Sequence, residues 1–81
     1  MRIQLLTFAT ARDYFGFAEK EVSFNDGESS KVLFAKCKAG FKPEELGWRV
    51  ALDGEYIEWN EMLDKKANGK DLAVIPPVSG G

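Results

Sequence analysis

The feature that most constrains the fold is one segment with helical periodicity, which lies between runs of residues that alternate as strands do. Ser29 is a typical helix N-cap residue and Gly40 a typical C-cap residue, so we predict a helix over residues 30–39. Its apolar residues share one helical stripe: Leu33, Phe34 and Cys37. A helix of about three turns is long enough to cover one face of a small sheet.

Five runs rich in β-branched, aromatic and alternating apolar residues are predicted to be strands. They span residues 2–9, 20–24, 48–52, 55–59 and 71–75. Asn25-Asp26-Gly27 marks a turn after the second run, and Asp53-Gly54 is typical of a tight hairpin between the third and the fourth. The order strand, strand, helix, strand, strand, strand predicts an α+β domain whose mixed sheet packs one face on the helix.

The first strand carries apolar residues on both of its faces. Alternation places one set together: Ile3, Leu5, Thr7 and Ala9. It places a second set on the opposite face: Gln4, Leu6 and Phe8. Because one face is expected in the core, Phe8 on the other face is a candidate contact residue.

The segments between these elements are predicted to be short. Residues 11–17 are a connection with a helical turn that Gly16 ends, residues 41–47 are irregular, and Met62 and Leu63 anchor the polar stretch at 60–70. A chain of 81 residues makes one domain with one modest core. We therefore predict a folded domain over residues 1–75 and a protruding tail over residues 76–81.

The tail has a composition suited to chemistry at the end of the chain. Pro76 and Pro77 cannot donate to a sheet and hold the backbone extended, while Gly80 and Gly81 lack a Cβ and make a narrow tip. Six residues reach roughly 20 Å, far enough to enter another protein's pocket. A carboxylate is a poor acyl donor, but one that a partner has joined to AMP is reactive toward sulfide, persulfide or lysine.

Composition excludes several classes of function. The formal net charge is −2 with acids and bases interspersed, which argues against binding to nucleic acid or anionic lipid. With no histidine and the single Cys37, metal and iron–sulfur sites are not expected. The apolar stretch at the start is interrupted by Gln4 and Thr7, which favours a strand over a signal peptide and predicts a cytoplasmic protein.

The sequence Pro-Pro-Val-Ser-Gly-Gly at the C-terminus resembles that of the small, sulfur-carrying subunit of molybdopterin synthase, the MoaD family of ubiquitin-like β-grasp proteins. The likeness extends to the first strand with Phe8 and Ala9, the Asp26-Gly27 turn, the Asp53-Gly54-Glu55 hairpin and the last strand, so it spans nearly the whole chain. Members usually carry an aliphatic residue after the helix N-cap, where this chain has Ser30, so we expect altered packing beneath the helix.

The resemblance implies that an ATP-dependent activating enzyme adenylates the Gly81 carboxylate, which is then converted to a thiocarboxylate. Inserted into the large synthase subunit, it donates sulfur to cyclic pyranopterin monophosphate and so builds the molybdopterin dithiolene. Two small subunits flank a dimer of large ones in a heterotetramer, and neither a resident cofactor nor turnover by the isolated chain is implied. The implied site residues are Gly81 for the reacting sulfur, Gly80 for clearance, Pro76, Pro77, Val78 and Ser79 in the partner's groove, and Phe8, Tyr56 and Ile75 on a hydrophobic contact face.

Other interpretations of the same residues stay open. The chain end also suits a sulfur carrier for thiamine thiazole or a modifier joined to lysines, and a domain of this kind also serves as an interaction module with an inert end. Phe8, Tyr56 and Ile75 are alternatively plain core residues. Cys37 is expected to pack in the core, and Trp48 and Trp59 to pack around the hairpin, since no basic groove accompanies them.

Overall fold

The computed structural model describes residues 1–77 and contains the five predicted strands in one sheet. They are β1 (Arg2–Thr7), β2 (Glu19–Ser23), β3 (Arg49–Leu52), β4 (Glu55–Ile57) and β5 (Asp71–Ile75). Across the sheet the order is β2-β1-β5-β3-β4, with β1 and β5 parallel and the other neighbours antiparallel. The predicted α+β class with a mixed sheet is confirmed.

Three helices and one 3₁₀ turn connect these strands. They are α1 (Ala9–Phe15), α2 (Ser30–Cys37), α3 (Pro43–Leu46) and the turn Lys65–Ala67. Helix α1 ends at Gly16, whose φ of 83° is the left-handed conformation that glycine adopts without a Cβ penalty. None of the helices in residues 1–77 has the length and apolar character needed to cross a bilayer.

The core lies between α2 and one face of the sheet. That face contributes a set of fully buried side chains: Ile3, Leu5, Val50, Leu72 and Val74. Phe34 of α2 is also fully buried, and its ring centroid lies 5.2 Å from that of Phe15 and 5.9 Å from that of Trp59. Burial of apolar surface is the dominant favourable contribution to folding, and pairs of aromatic rings in contact add to it.

Both tryptophans are packing residues, as predicted. Trp59 is buried, and its indole N–H donates to the backbone carbonyl of Trp48 at 2.8 Å. Trp48 is half-buried and packs against the core, with its ring 5.4 Å from that of Tyr14. Cys37 is also half-buried against the core, and its Sγ lies 3.6 Å from the carbonyl oxygen of Leu33. This contact fits the predicted role of Cys37 as a small apolar residue.

Five local predictions were wrong. Strand β4, predicted over residues 55–59, ends at Ile57. Strand β1 ends at Thr7, because the chain turns at Ala9 (φ 49°) into α1, which buries Ala11 and Phe15. Helix α2 ends at Cys37 rather than at residue 39, with Lys38 as its C-cap. The backbone of Phe41 then bonds to the carbonyl of Lys38 across a turn that contains Gly40, and this turn carries the Phe41 ring into the core.

The other two errors concern α3 and Met62. Residues 41–47 contain a helix because Pro43 occupies its first turn, where the missing N–H costs nothing, and Gly47 ends it at a φ of 69°. Lys31 of α2 donates to Glu44 at 2.9 Å, and this hydrogen bond lowers the pKa of the Glu44 carboxyl. Met62 is 72% exposed, so Leu63 alone of the two is the buried anchor.

Helix α2 begins with a capping serine followed by a buried one. The Ser29 hydroxyl accepts from the backbone N–H of Val32 at 3.3 Å, as the sequence predicted for an N-cap. The Ser30 side chain is fully buried, and its hydroxyl has no hydrogen-bond partner within residues 1–77. The space beneath the helix therefore contains an unsatisfied polar group, which is unfavourable in an apolar core.

We expect Ser30→Ala to raise the free energy of unfolding by about 1 kcal/mol, because it removes the buried hydroxyl without removing a hydrogen bond. The matched variant Ser29→Ala should lower it by about 1 kcal/mol, because it removes the cap. Urea unfolding of both variants measures the difference. A loss of stability in Ser30→Ala would mean that its hydroxyl is satisfied in solution.

Glu28 ties the turn before α2 to the helix itself. Its carboxylate accepts from Lys36 of α2 and, at 2.7 Å, from the backbone N–H of Asn25. These bonds, that from Lys36 first, lower the pKa of Glu28 below its ordinary value of 4.5. A carboxyl whose pKa is lower in the folded state stabilises the fold above its ordinary pKa, and that contribution is lost as the pH falls through the folded value.

We therefore expect Glu28→Gln to reduce the difference in unfolding free energy between about pH 7 and about pH 3, mainly by lowering stability at the higher pH. Glu19→Gln, at an exposed position on β2, is the matched control and should leave that difference nearly unchanged. Denaturant titrations at the two pH values make the comparison. Equal pH dependence in the Glu28 variant and the natural chain would contradict the assigned role.

Candidate docking face

The face of the sheet opposite α2 is covered by no element of residues 1–77, and we call it the open face. One row of side chains crosses four strands through paired positions: Leu6, Ala73, Ala51 and Tyr56. The next row pairs Ile75 with Arg49. The open face is therefore mainly apolar at its centre, although it lies outside the core.

Two of the predicted contact residues are strongly exposed. Phe8, which follows β1, is 50% exposed, and Tyr56 on the edge strand β4 is 57% exposed. Ile75 is half-buried at the end of β5. Phe8 and Tyr56 are therefore not core residues, and Ile75 lies on the open face, so the alternative that all three belong to the core is wrong.

A shallow depression of about 340 Å³ lies at the centre of the open face. Its apolar lining consists of Leu6, Ala51, Tyr56, Ala73 and Ile75. Asp53, Gly54 and Asp71 line the depression at the end where the β3–β4 turn lies, while Ile75 lies toward the chain end. The depression exists because Ala51 and Ala73 are directly paired and carry only methyl groups between the larger Leu6 and Tyr56.

One cation lies beside the point where the chain leaves the sheet. Arg49 is paired with Ile75, the last residue of β5, and its guanidinium carbon lies 4.0 Å from the centroid of the Tyr56 ring. A guanidinium at this distance is held by cation–π attraction. Within residues 1–77, Arg49 has no ion-pair partner.

The chain leaves the open face through Pro76 and Pro77. Pro76 is half-buried and Pro77 is exposed, so the exit from the sheet is accessible next to Ile75. The predicted roles of Val78, Ser79, Gly80 and Gly81 fall on residues outside those that the structure describes. Residues 1–77 contain no group of three or more acidic or cysteine side chains placed to hold a metal ion.

Sequence reasoning did not identify every residue of this face. Strand alternation placed Leu6 on the face of the first strand opposite Ile3 and Leu5, but the pairing of Ala73 with Ala51 requires the register of β3 on β5. No pattern in the sequence identified Arg49 as a residue of this face, because only the register of β3 on β5 brings it beside Ile75. Exposed apolar residues that surround a depression are typical of a surface that binds another protein.

The fold and the open face together define a small protein of the ubiquitin-like β-grasp class. The chain has the fold of SAMP1 from Haloferax volcanii, with a TM-score of 0.73, 20% identity and all of both chains covered. In sequence, the family model described as "ThiS family" matches residues 5–81. The chain belongs to the ThiS family.

Two similar proteins, both from molybdopterin synthesis by their names, indicate which members of this family the chain resembles. The chain is 33% identical over 86 positions to the molybdopterin synthase sulfur carrier subunit of Chlamydomonas reinhardtii, and the match covers all of both sequences. It is 28% identical to a chain in the complex of subunits 1 and 2 of the molybdopterin-converting factor from Helicobacter pylori, with a TM-score of 0.62 and full coverage of both chains. The resemblance found in the C-terminal sequence is therefore confirmed over the whole chain.

Proposed function

We propose that this protein is the sulfur carrier subunit of a molybdopterin synthase and acts in the cytoplasm. The observation that carries the proposal is its likeness over full length to a carrier subunit of that enzyme. The open face adds support, because Tyr56 and Ile75 line an accessible apolar depression beside the point where the chain leaves the sheet, and Phe8 is exposed where it follows β1. In this proposal the chain supplies a docking surface and a reactive carboxyl group, and the partners supply the catalytic residues.

The first step is activation of the Gly81 carboxylate. An ATP-dependent activating enzyme joins the carboxylate to AMP and releases pyrophosphate. Attack by sulfide on the Gly81 carbonyl then expels AMP and leaves a thiocarboxylate. A persulfide donor would instead give an acyl disulfide, which a thiol reductant cleaves to the same product. Gly80 leaves the carbonyl open to each nucleophile, since it carries no Cβ.

The second step is transfer of sulfur within the large subunit. The thiocarboxylate sulfur forms a bond to a carbon of cyclic pyranopterin monophosphate as a carbon–oxygen bond at that carbon breaks, and the oxygen leaves as water or as a phosphate oxygen. Hydrolysis of the acyl–sulfur bond then restores the Gly81 carboxylate and leaves the sulfur on the pterin. A dithiolene contains two sulfur atoms, so two carriers that bear a thiocarboxylate are consumed for each pterin. A heterotetramer with two carriers fits this requirement. Residues 76–79 lie in the groove of the large subunit in this proposal, and the isolated chain has no turnover.

The experiment that tests the proposal is an intact-mass measurement. The chain is incubated with ATP, a sulfur donor and the activating enzyme of its own organism. The expected result is a gain in mass equal to exchange of one oxygen for sulfur. An unchanged mass, with an activating enzyme that is active on another carrier, would contradict the proposal.

A sulfur carrier for thiamine thiazole is the second candidate, because the matching family model bears the ThiS name. It would form the same thiocarboxylate, so the mass measurement does not separate the two. The acceptor separates them: tight binding to the large synthase subunit is expected only of the first. A lysine-joined modifier would instead form an isopeptide bond through Gly81, which appears as a mass increase on the target protein.

A further inference from the structure

The depression on the open face has a shape that suits one bulky side chain. Ala51 and Ala73 form its floor, while Leu6 and Tyr56 stand on either side of them in the same row. Its volume of about 340 Å³ is about eleven times that of a water molecule in the liquid, about 30 Å³. Water there is in contact with apolar walls, so its displacement by an apolar group is favourable.

The depression has carboxylates at the end near the β3–β4 turn and a guanidinium at the end where the chain leaves the sheet. Asp53 and Asp71 lie at the end near the β3–β4 turn, and Lys70 pairs with Asp53 at 3.2 Å. Arg49 lies toward the chain end, stacked on Tyr56 and without an ion-pair partner in the described part of the chain. An apolar floor with a cation at one end matches a segment in which an apolar side chain is followed by a carboxylate.

The position of the depression identifies its occupant. Ile75 lines the depression and is also the last residue of β5, directly before Pro76. A protein that encloses the end of the chain in its own active site must therefore cover the surface beside Ile75. A second copy of this chain has no such requirement, because it takes no part in the reaction of the Gly81 carboxyl in the proposed function.

We propose that the large synthase subunit docks by inserting one bulky apolar side chain between Ala51 and Ala73, with a carboxylate of the same segment on Arg49. This inference rests on the proposed function and adds the chemistry of the partner's contact. The two alanines act as a size filter, because a larger residue at either position fills the space that the partner's side chain occupies. Tyr56 forms one wall and also holds the guanidinium in place.

The test fills the depression. Ala73→Leu places a larger apolar side chain between Leu6 and Ala51, and we expect it to weaken binding to the large subunit of the same organism by about 100-fold. Conversion of its chain end to the thiocarboxylate should proceed as in the natural chain. Ala39→Leu, at an exposed position after α2, is the matched control and should bind normally. Calorimetric titration of the full-length chain measures the affinities.

Two further variants keep the test decisive if Ala73→Leu does not fold. Tyr56→Ala removes an exposed wall of the depression and should weaken binding by about tenfold or more. Arg49→Gln should also weaken binding by about tenfold, whereas Arg2→Gln removes an exposed charge from the distant Glu21 pair and should have little effect.

Each result decides between the claims. Normal binding by all three site variants would overturn this inference and leave the proposed function intact. Absence of both thiocarboxylate formation and binding in the natural chain would overturn the proposed function. Loss of thiocarboxylate formation, but not of binding, in Ala73→Leu would assign the depression to the activating enzyme instead. Self-association of the natural chain that Ala73→Leu abolishes, with binding to the large subunit unaffected, would assign it to a second copy.

Discussion

Removal of Gly80 and Gly81 is expected to abolish formation of the thiocarboxylate completely and to leave the domain folded. The reacting carboxyl is then that of Ser79, whose Cβ narrows access to the carbonyl and whose position is two residues short of the partner's active site. All buried core residues of the described chain lie between Ile3 and Val74, so stability should change by less than about 0.5 kcal/mol. Intact mass and urea unfolding measure the two effects.

A second variant separates the identity of the glycines from the position of the carboxylate. Addition of one serine after Gly81 keeps both glycines and moves the carboxylate outward by one residue. We expect this extended chain to be as inactive as the truncated one while binding the large subunit through an unchanged open face. Normal sulfur acceptance by either variant would contradict the assignment of the reacting carbon to Gly81.

Phe34→Ala is expected to lower the free energy of unfolding by about 3–5 kcal/mol. The Phe34 side chain is fully buried, and its ring lies close to those of Phe15, Phe41 and Trp59. Truncation leaves a cavity at the centre of this aromatic cluster, and the loss is a large fraction of the stability of a small domain. Urea unfolding followed by tryptophan fluorescence measures the change.

Val32→Ala is the matched control on the same helix. Val32 is 42% exposed, so its truncation should cost less than about 1 kcal/mol. If the domain acts only as a scaffold for the chain end, sulfur acceptance by Phe34→Ala should fall in proportion to the folded fraction. A cost below about 1 kcal/mol for Phe34→Ala would show that the cluster does not hold α2 on the sheet.

Much of the fold is encoded locally and was predictable. The Asp53-Gly54 hairpin was predicted because this pair tolerates positive φ, and the two residues do adopt φ values of 51° and 87°. The buried set on β1 followed from alternation, as Ile3, Leu5 and Thr7 are all buried. Each of these patterns involves only a few neighbouring residues, so it can be recognised without knowing which strands pair in the sheet.

The errors occurred where distant packing decides the local structure. Gly40 does adopt a left-handed φ of 82°, but it lies in the turn that brings Phe41 into the aromatic cluster, and the helix ends earlier for that reason. Helix α3 has only four residues, too few for periodicity to be visible. The depression and its neighbour Arg49 depend on the register between β3 and β5, which no local pattern specifies.

The central claim is that sulfur leaves this protein from its C-terminal carbonyl within a synthase complex. The most direct test uses the chain prepared with a thiocarboxylate at Gly81, mixed with the large subunit of its own organism and cyclic pyranopterin monophosphate. We predict that the carrier returns to its carboxylate mass, that the dithiolene product appears, and that two carriers are consumed for each pterin. A thiocarboxylate that stays intact, with a large subunit that is active toward another carrier, would contradict the account.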